Sequence, residues 1–235
     1  MKSATLRIAS YNLQKCVGLD LRRRPDRALS VINALGASVV VLQEADKRLP
    51  PRPAALPHEM AEADGWKVAH FGEPGGSLGW HGNAMLLAAD IDVIATAHIN
   101  LPGLEPRGAI RADLSTPLGP LRVVGLHLGL LRRYRLKQLH AIMRHLSALP
   151  ACPTILAGDF NEWGSPRALD TATPGLSILP ARPSFPSPRP IAALDRFALS
   201  AELRPQHHGT HQARPAHIAS DHLPIWLDFG LEHAS

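Results

Sequence analysis

Pro153-Thr-Ile-Leu-Ala-Gly-Asp159-Phe-Asn161 is a short apolar run, partly β-branched, closed by glycine and followed at once by an acid. Such a run reads as a buried strand, and a strand ending at Asp159 delivers a carboxylate to the edge of a sheet. Alternate residues of an extended segment face one side, so the Asn161 amide can share a water and a phosphoryl oxygen with that carboxylate. Read alone, Asp-Phe-Asn is as readily a turn after a strand. Its meaning depends on what the other strands carry.

Leu6-Arg-Ile-Ala-Ser-Tyr-Asn12-Leu-Gln14 alternates as a strand and ends in amides. Val39-Val-Val-Leu-Gln43-Glu44 is a continuous apolar run, as expected of a strand buried on both faces, and it ends in a carboxylate. Leu121-Arg-Val-Val-Gly-Leu-His127 ends at an imidazole. If these strands share one edge, Asn12, Glu44, His127 and Asp159 converge in one pocket. Ser220-Asp221-His222, beside another apolar run, supplies a further acid and imidazole. A phosphodiester transition state gathers negative charge, so this mixture suits a hard cation, imidazole donors and a carboxylate base. An aspartate behind a histidine favours the charged ring and fixes its orientation.

Asn12, Gln43-Glu44, the strand-end His127, Gly158-Asp159-Phe-Asn161, Leu194-Asp195-Arg196 and Ser220-Asp221-His222 come in the order seen in the endonuclease/exonuclease/phosphatase superfamily, which the chain resembles over essentially its whole length. The resemblance implies hydrolysis of phosphoesters with Mg²⁺ or Mn²⁺. It implies Glu44 as principal metal ligand, with Asn12 and Asp221 near the cation or its waters. Asp159 and Asn161 would orient and deprotonate the attacking water, His127 and His222 would stabilise charge on the phosphoryl oxygens, and Asp195 would hold one of those histidines. Gln14 stands where several family nucleases carry an acid, which puts a second metal position in doubt. Trp80-His81-Gly82-Asn83-Ala84 resembles the family's strand beneath the site, with Asn83 as a phosphate donor. Glu105-Pro-Arg107-Gly-Ala109 resembles an Arg-Gly-Ala step of bacterial members, with Arg107 as an anion clamp, although a surface arginine in a turn is an equal reading. With Ser184-Phe185-Pro186-Ser187-Pro188 leading towards Asp195, the pattern is most similar to a bacterial branch named for its likeness to lipid-linked members.

Helical periodicity predicts helices over Pro25–Leu35, with Ala28, Val31, Ile32 and Leu35 inward, and Arg135–Leu146, with Leu136, Leu139, Met143 and Leu146 inward. Ser165-Pro166 reads as a helix start. Elsewhere strands broken by Pro/Gly turns dominate, and they imply an α/β fold: a four-layer sandwich of two packed mixed β-sheets flanked by helices, as the resemblance also implies. The 235 residues fit one domain, 1–235, and the proline-rich Pro50–Pro57 and Pro180–Pro190 lie between elements rather than between domains. No apolar run approaches a membrane span, so any membrane contact is expected to be peripheral. The first strand follows Met1 too closely for a signal peptide, and the expected compartment is the cytoplasm. Cys16 and Cys152 are expected to be reduced and partly buried.

A net charge of +5 points to polyanionic partners: nucleic acid, phospholipid headgroups or small phosphodiesters, with no obligate protein partner evident. Rival readings are weaker. Gly75-Gly-Ser77-Leu-Gly79 spells a serine-hydrolase elbow, but without a strand before and a helix after it. His207, His208, His211 and His217 read as a polar loop rather than a zinc site, since no cysteine or helical His-Glu-x-x-His accompanies them. A nuclease, or a non-catalytic phosphate-binding module on the same fold, remains the alternative; an intact reacting set argues for an enzyme.

Overall fold

In a computed structural model of the chain, the structure describes residues 5–47, 53–71, 76–164 and 167–231. The expected helix start at Ser165-Pro166, Gly75 of the elbow motif and residues 50–52 of the first proline-rich stretch lie outside these.

Among the described residues, twelve strands form two mixed six-stranded sheets. The first contains, in spatial order, β11 (Leu203–Thr210), β12 (Ile225–Leu231), β1 (Leu6–Asn12), β2 (Val39–Gln43), β4 (Ala84–Leu87) and β3 (Lys67–Val68). The second contains β5 (Asp92–Asn100), β6 (Gly108–Thr116), β7 (Gly119–His127), β8 (Thr154–Asp159), β10 (Asp195–Ser200) and β9 (Leu176–Ile178). In each sheet one central pair, β1 with β2 and β7 with β8, is parallel, and the other pairs are antiparallel.

The continuous apolar runs are explained by two-sided burial. In β2, Val39 and Val41 face the other sheet, while Val40 and Leu42 face the helices α1 (Pro25–Ala34) and α2 (His58–Ala63). In β8, Ile155 and Ala157 enter the inter-sheet core, and Leu156 meets α3 (Arg132–Ser147) and α4 (Arg167–Ala172). Each fully buried branched side chain contributes about 1.5–3 kcal/mol. Helices, sheet, sheet and helices thus make four layers around three apolar cores.

α1 starts with Pro25 in its first turn and ends before Gly36, whose φ of +59° suits glycine. α3 begins a turn earlier than its periodicity suggests. Its fully buried positions are Arg135, Gln138, Leu139 and Ile142, whereas Leu136, Met143 and Leu146 are only partly buried. The cause is polar: Gln138 accepts from Gly129 N (2.8 Å) and donates to Pro102 O (3.0 Å), and Arg135 donates to Leu130 O (2.6 Å). His207 and His208 differ from expectation too, since they belong to the edge strand β11 rather than to a loop. An edge strand tolerates polar side chains and a proline at a bulge, which here falls between Pro205 and His207.

Candidate active site

Period-two alternation places the polar residues. In β1, Ile8, Ser10 and Asn12 share the inter-sheet face; in β2, Val39, Val41 and Gln43 do. Gly125 and His127 continue the β7 face, Asp159 ends the β8 face, and Asp195 begins the β10 face that continues with Phe197. Where the apolar core between the sheets ends, polar side chains from both sheets therefore meet. Asn12 Nδ2 reaches across to donate to Asp159 Oδ2 at 3.3 Å.

Asp159 is buried and its surroundings pull on its proton in opposite directions. Burial and the neighbouring Asp195 carboxylate raise its pKa to about 7, while His222, the Asn161 amide (N to Oδ1, 2.8 Å) and Asn12 oppose the rise. Asn161 also donates Nδ2 to Leu128 O at 2.8 Å, so the turn after β8 is tied to the end of β7.

His222 is the histidine that Asp195 holds: its Nδ1 donates to Asp195 Oδ2 at 2.8 Å, and Nε2 lies 3.8 Å from Asp159 Oδ2. Burial works against the charged ring, but Asp195, by charge and hydrogen bond, with Asp159 and Asp221 behind it, lifts the pKa to about 9. Ser184 Oγ donates to the same Asp195 oxygen at 2.6 Å, so the proline-rich loop positions the acid. The Ser220–His222 segment is clipped to the end of β1 by Ser220 Oγ donating to Asn12 O (2.7 Å), and to the turn after it by Asp221 N donating to Gln14 Oε1 (2.9 Å).

His127 has the opposite electrostatics. Burial, and then the charge of Arg107, His222 and Lys15, hold it well below the usual imidazole range. Its Nε2 lies 2.9 Å from Arg107 Nη1 and 3.4 Å from Asp159 Oδ2. A guanidinium only donates, so this nitrogen accepts and the proton of the neutral ring sits on Nδ1. Arg107 is held on its other side by Glu105 (Nε to Oε2, 3.0 Å), whose Oε1 accepts from Leu130 N at 3.2 Å.

Beside these groups opens a cleft of about 700 Å³ lined by Glu44, Lys15, His81, Arg107, His127 and Leu130. Glu44 follows β2 in a left-handed conformation (φ +50°) that takes it out of the strand, and its carboxylate meets the Lys15 ammonium. Lys15 lies in a turn of three left-handed residues, Gln14, Lys15 and Cys16, which stops β1 at Asn12 rather than at Gln14.

Donors for a divalent cation occur at two places. Asp159, Asp195 and His222 hold ligand atoms within 4.8 Å of one another, a mixed oxygen and nitrogen set in which a cation would have to displace the proton of the His222 ring. Glu44 offers a partly exposed oxygen donor that already balances a positive charge, with Asn12 Oδ1 and the equally half-buried Asp221 on the neighbouring segments. Oxygen-only donors are what Mg²⁺ and Mn²⁺ prefer.

Asn83 lies apart from the cleft. It is fully buried and donates Nδ2 to Gly108 O at 2.9 Å, bracing the start of β4 against β6. Ser77 of the elbow-like motif donates to Asp46 Oδ2 at 2.5 Å. Cys16 is buried, Cys152 partly so, and both thiols are free. Lys15 had no place in the sequence expectations, and Glu105 and Ser184 stood only inside quoted motifs with no role of their own; the spacing of Ser184 ahead of Asp195 was the one signal.

The model of the Endonuclease/Exonuclease/phosphatase family matches residues 9–222, and the chain belongs to that family. Its members are metal-dependent phosphodiesterases and nucleases. The fold is similar to a family protein from Bacteroides thetaiotaomicron (TM-score 0.77, 18% identity, 99% of this chain and 100% of that one). It is also similar to D. rerio TDP2 complexed with a single-strand DNA product (0.73, 19%, 97% and 99%). A third likeness is to the human Nocturnin catalytic domain with a bound sulfate anion (0.71, 19%, 97% and 94%). No curated protein sequence matches.

Proposed function

We propose that the chain is a divalent-metal-dependent phosphodiesterase in which Asp159 activates water. The observation that carries this reading is a buried carboxylate, with a pKa near 7, set between a cationic His222 and a neutral His127 that itself lines the cleft containing Glu44. A general base works best with its pKa near the working pH.

Asp159 takes the proton of a water whose oxygen adds to phosphorus, with Asn161 fixing the acceptor carboxylate. The ester P–O bond breaks opposite, giving a phosphomonoester and an alkoxide that takes a proton from solvent. His222, kept cationic by Asp195, and Arg107, oriented by His127 and Glu105, balance charge on the phosphoryl oxygens. When bound, Mg²⁺ or Mn²⁺ supplies further positive charge for those oxygens, and Glu44, Asn12 and Asp221 would hold it. Asn83 serves this scheme by bracing the cleft rather than by touching phosphate.

The test is hydrolysis of a chromogenic phosphodiester and a phosphomonoester in Mg²⁺, Mn²⁺ or EDTA. Metal-dependent diester cleavage is expected, falling about 10²–10⁴-fold in Asp159→Asn. Cleavage that persists in EDTA or in that variant would overturn the reading.

A further inference from the structure

Nine large hydrophobic side chains are exposed among the described residues, and all but Val93 and Ile94 lie in loops at the sheet edge that carries the site. Single exposed apolar groups need no explanation, but a concentration around one opening marks an interaction surface. Leu104 tops the β5–β6 loop beside Glu105, and Leu130 and Leu131 follow β7, with Leu130 lining the cleft itself. Across the opening, Trp163 is 62% exposed and its ring meets Phe185 edge-on at 5.7 Å. Phe185 in turn touches His222 (ring centroids 5.0 Å apart) and accepts at O from Ile191 N at 2.9 Å. Leu19 and Leu21 close a third side, where Leu19 N donates to Ile218 O at 3.0 Å.

The same rim, with the first turn of α3, is basic. Arg22, Arg23, Lys47, Arg132, Arg133 and Arg189 are exposed and form no ion pair among the described residues. The acids between them are committed: Asp20 to Arg27, Glu105 to Arg107 and Glu162 to Arg135.

We propose that this rim docks the protein on the surface of an anionic lipid bilayer, turning the site towards the phosphodiesters of lipid headgroups. The inference deepens the hydrolase reading and, for its substrate, rests on it. Aliphatic side chains that enter the acyl boundary, ringed by arginines that meet anionic headgroups, are the combination an interface rewards. A single-stranded nucleic acid would instead call for a series of aromatic platforms, and the rim's side chains are mostly leucine. No helix of the described residues is long and apolar enough to cross a membrane, and the proposed contact is a peripheral one.

The test is flotation with unilamellar vesicles of phosphatidylcholine, alone or mixed with phosphatidylglycerol, in EDTA so that binding is read without turnover. Tryptophan emission, with lipids brominated near the glycerol end as quenchers, reports insertion of Trp163. Mixed vesicles are expected to bind about tenfold or more tighter than phosphatidylcholine alone, with binding falling as salt rises. The emission should shift to the blue and be quenched, and Trp163→Phe should lose that signal. Leu131→Ser/Ile191→Ser, checked for folding by circular dichroism, should weaken insertion, and Arg132→Glu/Arg133→Glu should weaken attraction. No flotation with either vesicle, while the soluble diester is still cleaved, would overturn the docking and leave the hydrolase reading standing. Vesicle binding with no ester cleaved would support the docking and sink the hydrolase reading. Tighter binding to an oligonucleotide, with no response to vesicles, would give the face to nucleic acid and overturn the proposal.

Discussion

Asp159, with its pKa near 7, is an available base at neutral pH, while His222, raised to about 9, is still a cation there. The rate of diester hydrolysis should therefore rise as pH passes 7 and Asp159 ionises, then fall as pH passes 9 and His222 loses its proton. Asp195→Asn removes the charge that holds the ring protonated, so the alkaline limb should move down in a kcat/KM profile; a limb that stays in place would detach Asp195 from His222. Stability has a definite sign as well. His222 titrates higher in the folded protein than its ordinary value of 6.5, so its contribution is complete below that value and is lost as pH rises through 9. Asp159 is also raised, from 3.8 to about 7, and loses its contribution as pH rises across that window. The melting temperature in EDTA should thus decline from mildly acidic to alkaline pH, and more gently in Asp195→Asn. Arg107 meets both His127 and Glu105, and a lysine has no fork with which to do so. Arg107→Lys should lower kcat/KM about tenfold or more, and unchanged kinetics would remove Arg107 from phosphate binding. Of these groups, Asp159, His222 and His127 were legible as strand-end or strand-adjacent polar residues. Their differing protonation was not, since it depends on which neighbours arrive from elsewhere.

At the scale of elements, α3 is a helix whose buried face is partly polar. Arg135 Nη2 donates to Glu162 Oε2 at 3.0 Å, and both side chains are about 5% exposed. Through Leu130 O and Glu162 the arginine joins the loop after His127 to the loop after Asp159. Removing one partner of a buried pair strands the other, so Arg135→Met should cost about 3–5 kcal/mol. Urea unfolding measures that directly; a loss under ~1 kcal/mol would mean the pair is not holding the loops. Hydrophobic periodicity located this helix, but it misjudged the inward face, because arginine and glutamine bury their polar ends only when loop carbonyls and amides wait for them. β11 escaped for a related reason: an edge strand carrying two histidines and a proline shows little of the apolar alternation by which strands are read.

Over the whole molecule, the geometry of the proposed site depends on how closely two sheets approach. A Cβ on Gly125 would lie 2.7 Å from Val41 Cγ1 and 3.1 Å from Ile110 Cγ1, so the glycine sets the spacing two residues before His127. Gly125→Ala should overpack the inter-sheet core and cost about 1–3 kcal/mol. Since the Asn12–Asp159 contact spans the sheets, the same variant should lose activity beyond its loss of stability when assayed well below its melting temperature. Retained full activity would show that the spacing tolerates a methyl group.

What the sequence determined by itself was local and periodic: the buried strands, the polar residue at the end of each, the order of the motifs and, with them, the family. A strand's alternation and its terminal residue are set by neighbours in the chain, so they can be read from it. Only the tertiary structure decided that Asp195 holds His222, that His127 stays neutral beneath Arg107, that Glu44 meets Lys15, and that the apolar loops share one rim with basic ones. Those outcomes depend on distances between residues far apart in sequence, and on the desolvation that appears only when two sheets close over them.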